Sequence, residues 1–354
     1  MGQDVARASR ELDAAVRDMV GWHFSPDTGT PFWLRYAQRE GWDPREEVGG
    51  FDDLARFGFF EDHWLRDAPL EDWVPKSFQD KPYRIFETGG TTGRPKQRLD
   101  WGDYRTDYEN FSPTLPLDSF PAGAAWLMLG PTGPRRLRLA IEYLANLRGG
   151  VCFHMDLDPR WFSLLVRSGD AQTARRYKDH LLNQGIQILE SRHVQCLFTT
   201  PKLLQALCER VSLEKYGVSG VLCGGTSISP QSLRFLIEES LGNVRFVPLY
   251  GNTLMGLAAS RPLEPEDEFR ITYYAPQPRA VLQVVDPEAP ERLVEYGERG
   301  RVKLTTLTRE LFMPNFLERD EALRVPPHED FPWDGVQDVR PFQQMDQEIV
   351  EGVY

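Results

Sequence analysis

Cysteine is scarce in this chain: four residues in 354, at Cys152, Cys196, Cys208 and Cys223, with no C-x-x-C spacing among them. That excludes a disulfide-stapled secreted scaffold and a thiolate metal site, and it leaves buried free thiols in a reducing, cytoplasmic setting as the expectation. Long hydrophobic runs are missing as well. The stretch AAWLMLG at 124–130 falls far short of the roughly 20 apolar residues of a membrane span. Positive charge is not in excess, since 41 Lys and Arg face 53 Asp and Glu for a net charge of -12. This balance argues against nucleic acid or an acidic membrane as the partner. The N-terminal MGQDVARASRELDAAVRD is polar and periodic, unlike a signal peptide, and Ala6 stands where a myristoylation signal has Ser or Thr. There is no internal repeat, no Ser-His-Asp order with a nucleophile elbow, and no His, Cys or acid cluster at metal-ligand spacing.

What is present is an ordinary globular composition, 41% hydrophobic and 27% charged, long enough for a large core and several subdomains. Residues 1–82 combine amphipathic periodicity with Trp22, Trp33, Trp42, Trp64 and Trp73, which predicts a helical segment packed on a larger body. From Tyr83 to residue 268, strands alternate with helices: PYRIFET, AAWLMLG, GVCFHMDLD, VQCLFTT, VSGVLCGG and NVRFVPLYGN are separated by helical stretches, two of them opened at Pro201 and Pro230. That rhythm predicts an α/β class with a parallel sheet and helices on both faces. From about 269 to 354 the texture turns β-rich, suited to a small barrel or antiparallel sheet, and ends in a proline-rich acidic tail.

The densest chemistry lies in Thr88-Gly89-Gly90-Thr91-Thr92-Gly93-Arg94-Pro95-Lys96. Three glycines allow a tight turn with close backbone approach. Three threonine hydroxyls and a lysine whose charge is free to move add donors, and successive amides form a concavity for anions. A plain polar turn is the simpler reading of glycine alone; hydroxyls plus a terminal lysine favour a phosphate chain. It is not a Walker A loop, because no Gly-Lys-Ser/Thr follows a spaced glycine. A second motif, Cys223-Gly224-Gly225-Thr226-Ser227, ends a strand where parallel sheets gather ligands. A third is Leu249-Tyr250-Gly251-Asn252-Thr253-Leu254-Met255-Gly256. A fourth runs from Gly297 through Glu310 to Met313-Pro314 and on to Phe316-Leu317-Glu318-Arg319-Asp320. Gly335-Val336-Gln337-Asp338 is the fifth. His154, at a strand end, is a weaker candidate for a substrate pocket and more often a structural residue.

In this order the motifs resemble the signatures of the adenylate-forming superfamily of acyl-CoA ligases, aryl-acid ligases and adenylation domains. The short form looks most like the phenazine antibiotic biosynthesis adenylating proteins and phenylacetate-CoA ligase-like enzymes. The resemblance implies that superfamily's large N-terminal domain, with parallel α/β sheets and a small β-barrel-like subdomain. It implies ATP and Mg2+ as cofactors, with CoA as one candidate acceptor. The phosphates would lie on Thr88, Gly89, Gly90, Thr91, Thr92, Gly93 and Lys96. The adenine and acid pockets would lie between Gly224, Gly225 and Thr226 on one side and Tyr250, Gly251 and Asn252 on the other. Thr253 would meet the α-phosphate and Asp320 the ribose hydroxyls; Lys96 and Thr253 would be the catalytic pair.

There are departures from the pattern. Leu254 stands where the superfamily has an acidic magnesium ligand, and Val336 where it has a hinge arginine; the chain ends sixteen residues after Asp338, so the mobile C-terminal domain and its lysine are expected to be absent. The implied activity is ATP-dependent activation of an aromatic acid, such as a hydroxy- or aminobenzoate, in secondary metabolism. Acyl transfer to an amine, hydroxyl or thiol, including a second aryl acid, would follow. A homodimer is compatible with this reading. A non-catalytic nucleotide-binding scaffold is the alternative that the departures support.

Overall fold

A computed structural model describes residues 2–89, 94–134 and 136–342. Four helices open the chain, α1 (Gly2–His23), α2 (Pro31–Glu40), α3 (Pro44–Glu47) and α4 (Trp64–Asp67). A short antiparallel hairpin follows, β1 (Arg84–Glu87) and β2 (Gln97–Asp100), with the glycine-rich loop at its tip. Helix α5 (Tyr104–Phe111) leads into β3 (Ala125–Leu129), α6 (Arg136–Leu147), β4 (Val151–His154), α7 (Pro159–Arg167), α8 (Ala171–Ser191) and β5 (Cys196–Thr199). Then come α9 (Pro201–Cys208), β6 (Gly220–Gly224), α10 (Pro230–Phe235), β7 (Arg245–Asn252) and β8 (Gly256–Ser260). The remaining strands are β9 (Thr272–Tyr274), β10 (Ala280–Val285), β11 (Arg299–Leu307), β12 (Phe312–Val325) and β13 (Gly335–Pro341).

Eleven strands form one sheet in the order β10-β11-β12-β13-β9-β8-β7-β6-β5-β3-β4. The five from β4 to β7 pair in parallel, and every pairing from β7 outward to β10 is antiparallel. The chain thus has the α/β architecture its rhythm predicts, and its β-rich part is the antiparallel arm of the same sheet. Strand β3 sits between β4 and β5, so the chain steps outward to β4 and returns across β3 to β5. Such a reversal opens a crevice at the carboxyl ends of parallel strands.

Local sequence explains where the helices begin. Asp158 accepts hydrogen bonds from the backbone of Arg160 and Trp161, Asp170 from Thr173, and Ser229 from Ser232. Each is an oxygen-bearing cap that satisfies otherwise orphaned amides, and Pro159 and Pro230 occupy first-turn positions where no amide partner is needed. The tryptophan-rich segment packs against the antiparallel arm: Trp33, 1% exposed, meets Phe312 with ring centroids 5.2 Å apart and donates Nε1–H to the Phe312 carbonyl at 3.1 Å. All four cysteines are free, Cys196 and Cys223 fully buried. No described helix is long and apolar enough to cross a membrane.

Candidate active site

The loop between β1 and β2 is closed at its base by two bonds. The Thr88 amide donates to the Lys96 carbonyl at 3.0 Å, and the Lys96 amide donates to Thr88 Oγ1 at 3.0 Å. Thr88, Gly89 and Lys96 line a cavity of about 410 Å3; Gly90, Thr91, Thr92 and Gly93 lie outside the described residues. Lys96 is not the mobile charge its loop position suggests. It is 3% exposed, its Nζ lies 2.7 Å from Asp62 Oδ1, and it sits 4.6 Å from the centroid of the Phe316 ring.

The same cavity receives the other motifs. Gly224, Gly225 and Thr226 at the end of β6 form one wall, and Tyr250, Gly251, Asn252 and Thr253 at the end of β7 form the next. Gly225 has φ +94, in the left-handed region where a Cβ is strained. At Gly224 a Cβ would lie 2.6 Å from the Leu249 carbonyl oxygen, so only glycine lets β6 and β7 stay paired this close to the site. Gly224→Ala is expected to lower stability by about 1–3 kcal/mol through overpacking and to weaken nucleotide binding. Thermal unfolding and ATP titration check both.

Asn252 shapes the turn that follows β7. Its Oδ1 accepts from the Leu254 and Met255 amides at 2.9 and 2.7 Å, and its Nδ2 donates to Glu318 Oε1 at 2.9 Å. Thr253 donates its hydroxyl to the Glu87 carbonyl at 3.4 Å, which joins this turn to the strand entering the glycine-rich loop. Tyr250 donates its hydroxyl to Asp320 Oδ2 at 2.7 Å. Burial, then the Asp320 charge, pushes the Tyr250 phenol well above its ordinary range, so it stays a donor. Asp338 also borders the cavity, paired with Arg299 of the Gly-Glu-Arg-Gly motif. Val336 is fully buried in the core.

Several residues that line or brace the cavity belong to no motif. Arg98, 2% exposed, donates from Nη1 to the Thr253 and Leu254 carbonyls at 3.1 and 2.7 Å, and from Nη2 to both Asp103 oxygens at 3.0 and 2.8 Å. Arg136 and Tyr108 line the cavity beside Leu137, Phe198, Leu249 and Leu257. Arg136 pairs with Asp107 at 2.7 Å, and Asp107 also accepts from Arg279 at 3.2 Å. Glu87 is bound by Arg160 at 2.6 Å, which, ahead of burial, holds its carboxyl below the usual range. An alternation Arg98, Leu99, Asp100 directly after the loop does signal two charges on one face of a strand; nothing in the sequence signals their partners.

Leu254, in the place of the superfamily's acid, borders the cavity but is 1% exposed and packs in the apolar core. The acids bordering the cavity are Glu87, Glu318, Asp320 and Asp338. The Glu318 carboxylate takes the Asn252 amide, while its backbone carbonyl accepts from Arg301 Nε at 2.7 Å. His154 closes β4, half-buried, and is not among the described residues that line the cavity. Nor is any of the five N-terminal tryptophans.

Comparison of the sequence with protein-family models and with curated proteins gives no match. The fold does match solved structures. A 2-hydroxyisobutyryl-CoA ligase in complex with 2-HIB-AMP and CoA, in its thioesterification state, superposes with a TM-score of 0.71 at 17% identity, covering 96% of this chain and 69% of that one. The same ligase in its postadenylation state with R3-HIB-AMP gives 0.68 at 16% identity, covering 96% and 68%. An open conformation with 2-HIB-AMP and CoA gives 0.67 at 16%, covering 93% and 73%. The chain therefore has the adenylate-forming fold that its ordered motifs imply.

Proposed function

We propose that this protein activates an aromatic carboxylic acid with ATP, forming an acyl-adenylate and pyrophosphate, and then passes the acyl group to an amine, hydroxyl or thiol. The observation that carries this reading is the convergence of Thr88, Gly89 and Lys96, Gly224–Thr226, Tyr250–Thr253 and Asp320, separated by up to 232 residues of sequence, on one cavity. The acid's carboxylate attacks the α-phosphorus, the bond to the bridging oxygen breaks, and pyrophosphate leaves. The chain's contribution is positioning and charge stabilisation. Lys96 and the loop amides take the β- and γ-phosphates, Thr253 the α-phosphate, and Asp320, oriented by Tyr250, the ribose hydroxyls.

Magnesium, when bound, neutralises phosphate oxygens, for which hard carboxylate ligands are suited. The Glu318 carboxylate, fixed by the Asn252 amide, fits as its ligand; Leu254 does not. The apolar wall of Leu137, Phe198, Leu249 and Leu257 suits a ring. The guanidinium of Arg136 and the phenol of Tyr108 on the same wall suit an acceptor substituent on it. CoA is one thiol acceptor compatible with this chemistry, and the fold neighbour that binds CoA supports including it.

Pyrophosphate release from ATP and Mg2+ across hydroxy-, amino- and unsubstituted benzoates and aliphatic acids tests the reading. Release with a hydroxy- or aminobenzoate is the expected result, with mass spectrometry of the product revealing the acceptor. ATP binding without release for any acid would favour the non-catalytic scaffold instead. Asp320→Ala is expected to raise the KM for ATP about tenfold, the equivalent of one charged hydrogen-bonding partner. With 2′-deoxy-ATP that penalty should shrink.

A further inference from the structure

The lysine of the glycine-rich loop is held by a residue from a part of the chain with no signature of its own. Asp62 lies in the turn before α4, and its Oδ1 takes the Lys96 ammonium at 2.7 Å while its Oδ2 pairs with Arg66 Nη2 at 2.5 Å. Its place is fixed from beneath. Asn315 Nδ2 donates to the Leu54 and Gly58 carbonyls at 2.7 and 3.0 Å, and the Phe60 amide donates to the Asn315 carbonyl at 3.4 Å. The neighbouring Phe316 ring packs on Phe60 at 6.1 Å and lies under Lys96 Nζ. Strand β12, which also carries Glu318 and Asp320, therefore fixes the turn that presents Asp62.

We propose that Asp62 is a positioning residue for Lys96, holding its ammonium at the cavity wall in the orientation that meets the ligand's phosphates. A lysine side chain has a flexible four-carbon stem and a point charge, so its direction must come from its surroundings. An ammonium carries three N–H donors; Asp62 engages one and the Phe316 ring covers a side, which leaves donors for phosphate oxygens. Arg66, on the far oxygen of Asp62, keeps the carboxylate aimed. The charges around it are consistent with this role. Burial works to raise the Asp62 pKa, but the Lys96 bond and charge, then Arg66 and Arg319, bring it below the ordinary value.

The inference rests on the proposed function only in assigning the phosphates to ATP. Its test uses the full chain with Asp62→Asn, Asp62→Glu, Lys96→Ala and the double variant Asp62→Asn/Lys96→Ala. In Asp62→Asn, turnover of acid-dependent pyrophosphate release is expected to fall about tenfold or more through lost orientation, with the KM for ATP changing less than about threefold. Asp62→Glu should recover most of the rate. In the Lys96→Ala background the Asp62→Asn change should cost nothing further. A second readout needs no turnover: amine-reactive labelling of Lys96, quantified by peptide mass spectrometry, should be slow in the unaltered protein and fast in Asp62→Asn. An equal loss of rate with and without Lys96, or Lys96 labelling unchanged by Asp62→Asn, would overturn the assignment. If no acid supports turnover, the functional reading falls while the labelling result still decides the role of Asp62.

Discussion

Arg98→Met is expected to unfold at markedly lower denaturant concentration, having lost about 3–5 kcal/mol, the usual cost of breaking one side of a buried ion pair. Arg98 is 2% exposed and serves three acceptors at once: the Asp103 carboxylate and the carbonyls of Thr253 and Leu254. Methionine fills the volume but makes none of these bonds. Asp103 keeps Arg279, at 3.5 Å, and the Leu254 carbonyl keeps the Thr306 hydroxyl at 3.0 Å, so the loss is partial. Arg98→Lys should rescue little, because one ammonium cannot replace a planar fork that reaches two elements.

The functional part separates from the structural part in a second variant. Arg98→Met/Asp103→Leu removes both charges, and much of the stability is expected to return. ATP binding and pyrophosphate release are not, because the Thr253–Leu254 turn remains without the Arg98 donors. Recovery of both together would show that Arg98 acts only through stability.

The visible and hidden parts of the site divide along a physical line. Residues that need special backbone, such as Gly224 and Gly225, or that sit at a strand end before a capped helix, such as Thr226, announce themselves because few residue types can occupy those positions. The strands β3, β5 and β6 are legible for a similar reason, being short apolar runs between turns. Helices α5 and α7 were not legible. They are short, and α5 turns Asp107, Tyr104 and Tyr108 inward, so its buried face does not look apolar. That face carries the partner of Arg136. Asp62 and Arg98 are hidden because an ion pair or a bond to a distant carbonyl has no local signature: Asp62 and Lys96 are 34 residues apart, Arg98 and Leu254 are 156. The loop itself was identified from its residue types, while the fixing of its lysine depends on tertiary packing.

The same buried network sets how stability varies with pH. Glu310, in the turn between β11 and β12, accepts from the Trp101 and Asp103 amides at 3.0 and 3.1 Å. Its carboxyl oxygens converge with those of Asp100 and Asp103 to within 4.8 Å. Burial first, then the Asp103 and Asp100 charges, raises the Glu310 pKa to about 8 against the pull of the Trp101 amide and Arg98. Burial, with Asp103, raises Asp100 too, although Arg98, Arg136 and Arg84 oppose it. An acid whose folded pKa lies above its unfolded value of 4.5 binds more protons when folded, so stability falls as pH climbs from 4.5 toward 8. His23 acts in the opposite sense. Buried between the Thr30 hydroxyl and the Thr308 carbonyl, it has its pKa lowered from 6.5 to about 4, chiefly by burial. It therefore adds stability as pH rises through that interval. The opposing slopes offset one another below 6.5, and above it the decline from Glu310 continues without the His23 contribution. Between pH 6.5 and 8 the protein should lose stability, by at most about 1.4 kcal/mol per pH unit for one proton. In Glu310→Gln that decline should disappear, and the variant should be the more stable protein at pH 8, since a neutral amide oxygen can still accept from Trp101 or Asp103 without facing two carboxylates as an anion. Urea unfolding at a series of pH values measures it; a decline that persists in the variant would place the titrating proton elsewhere.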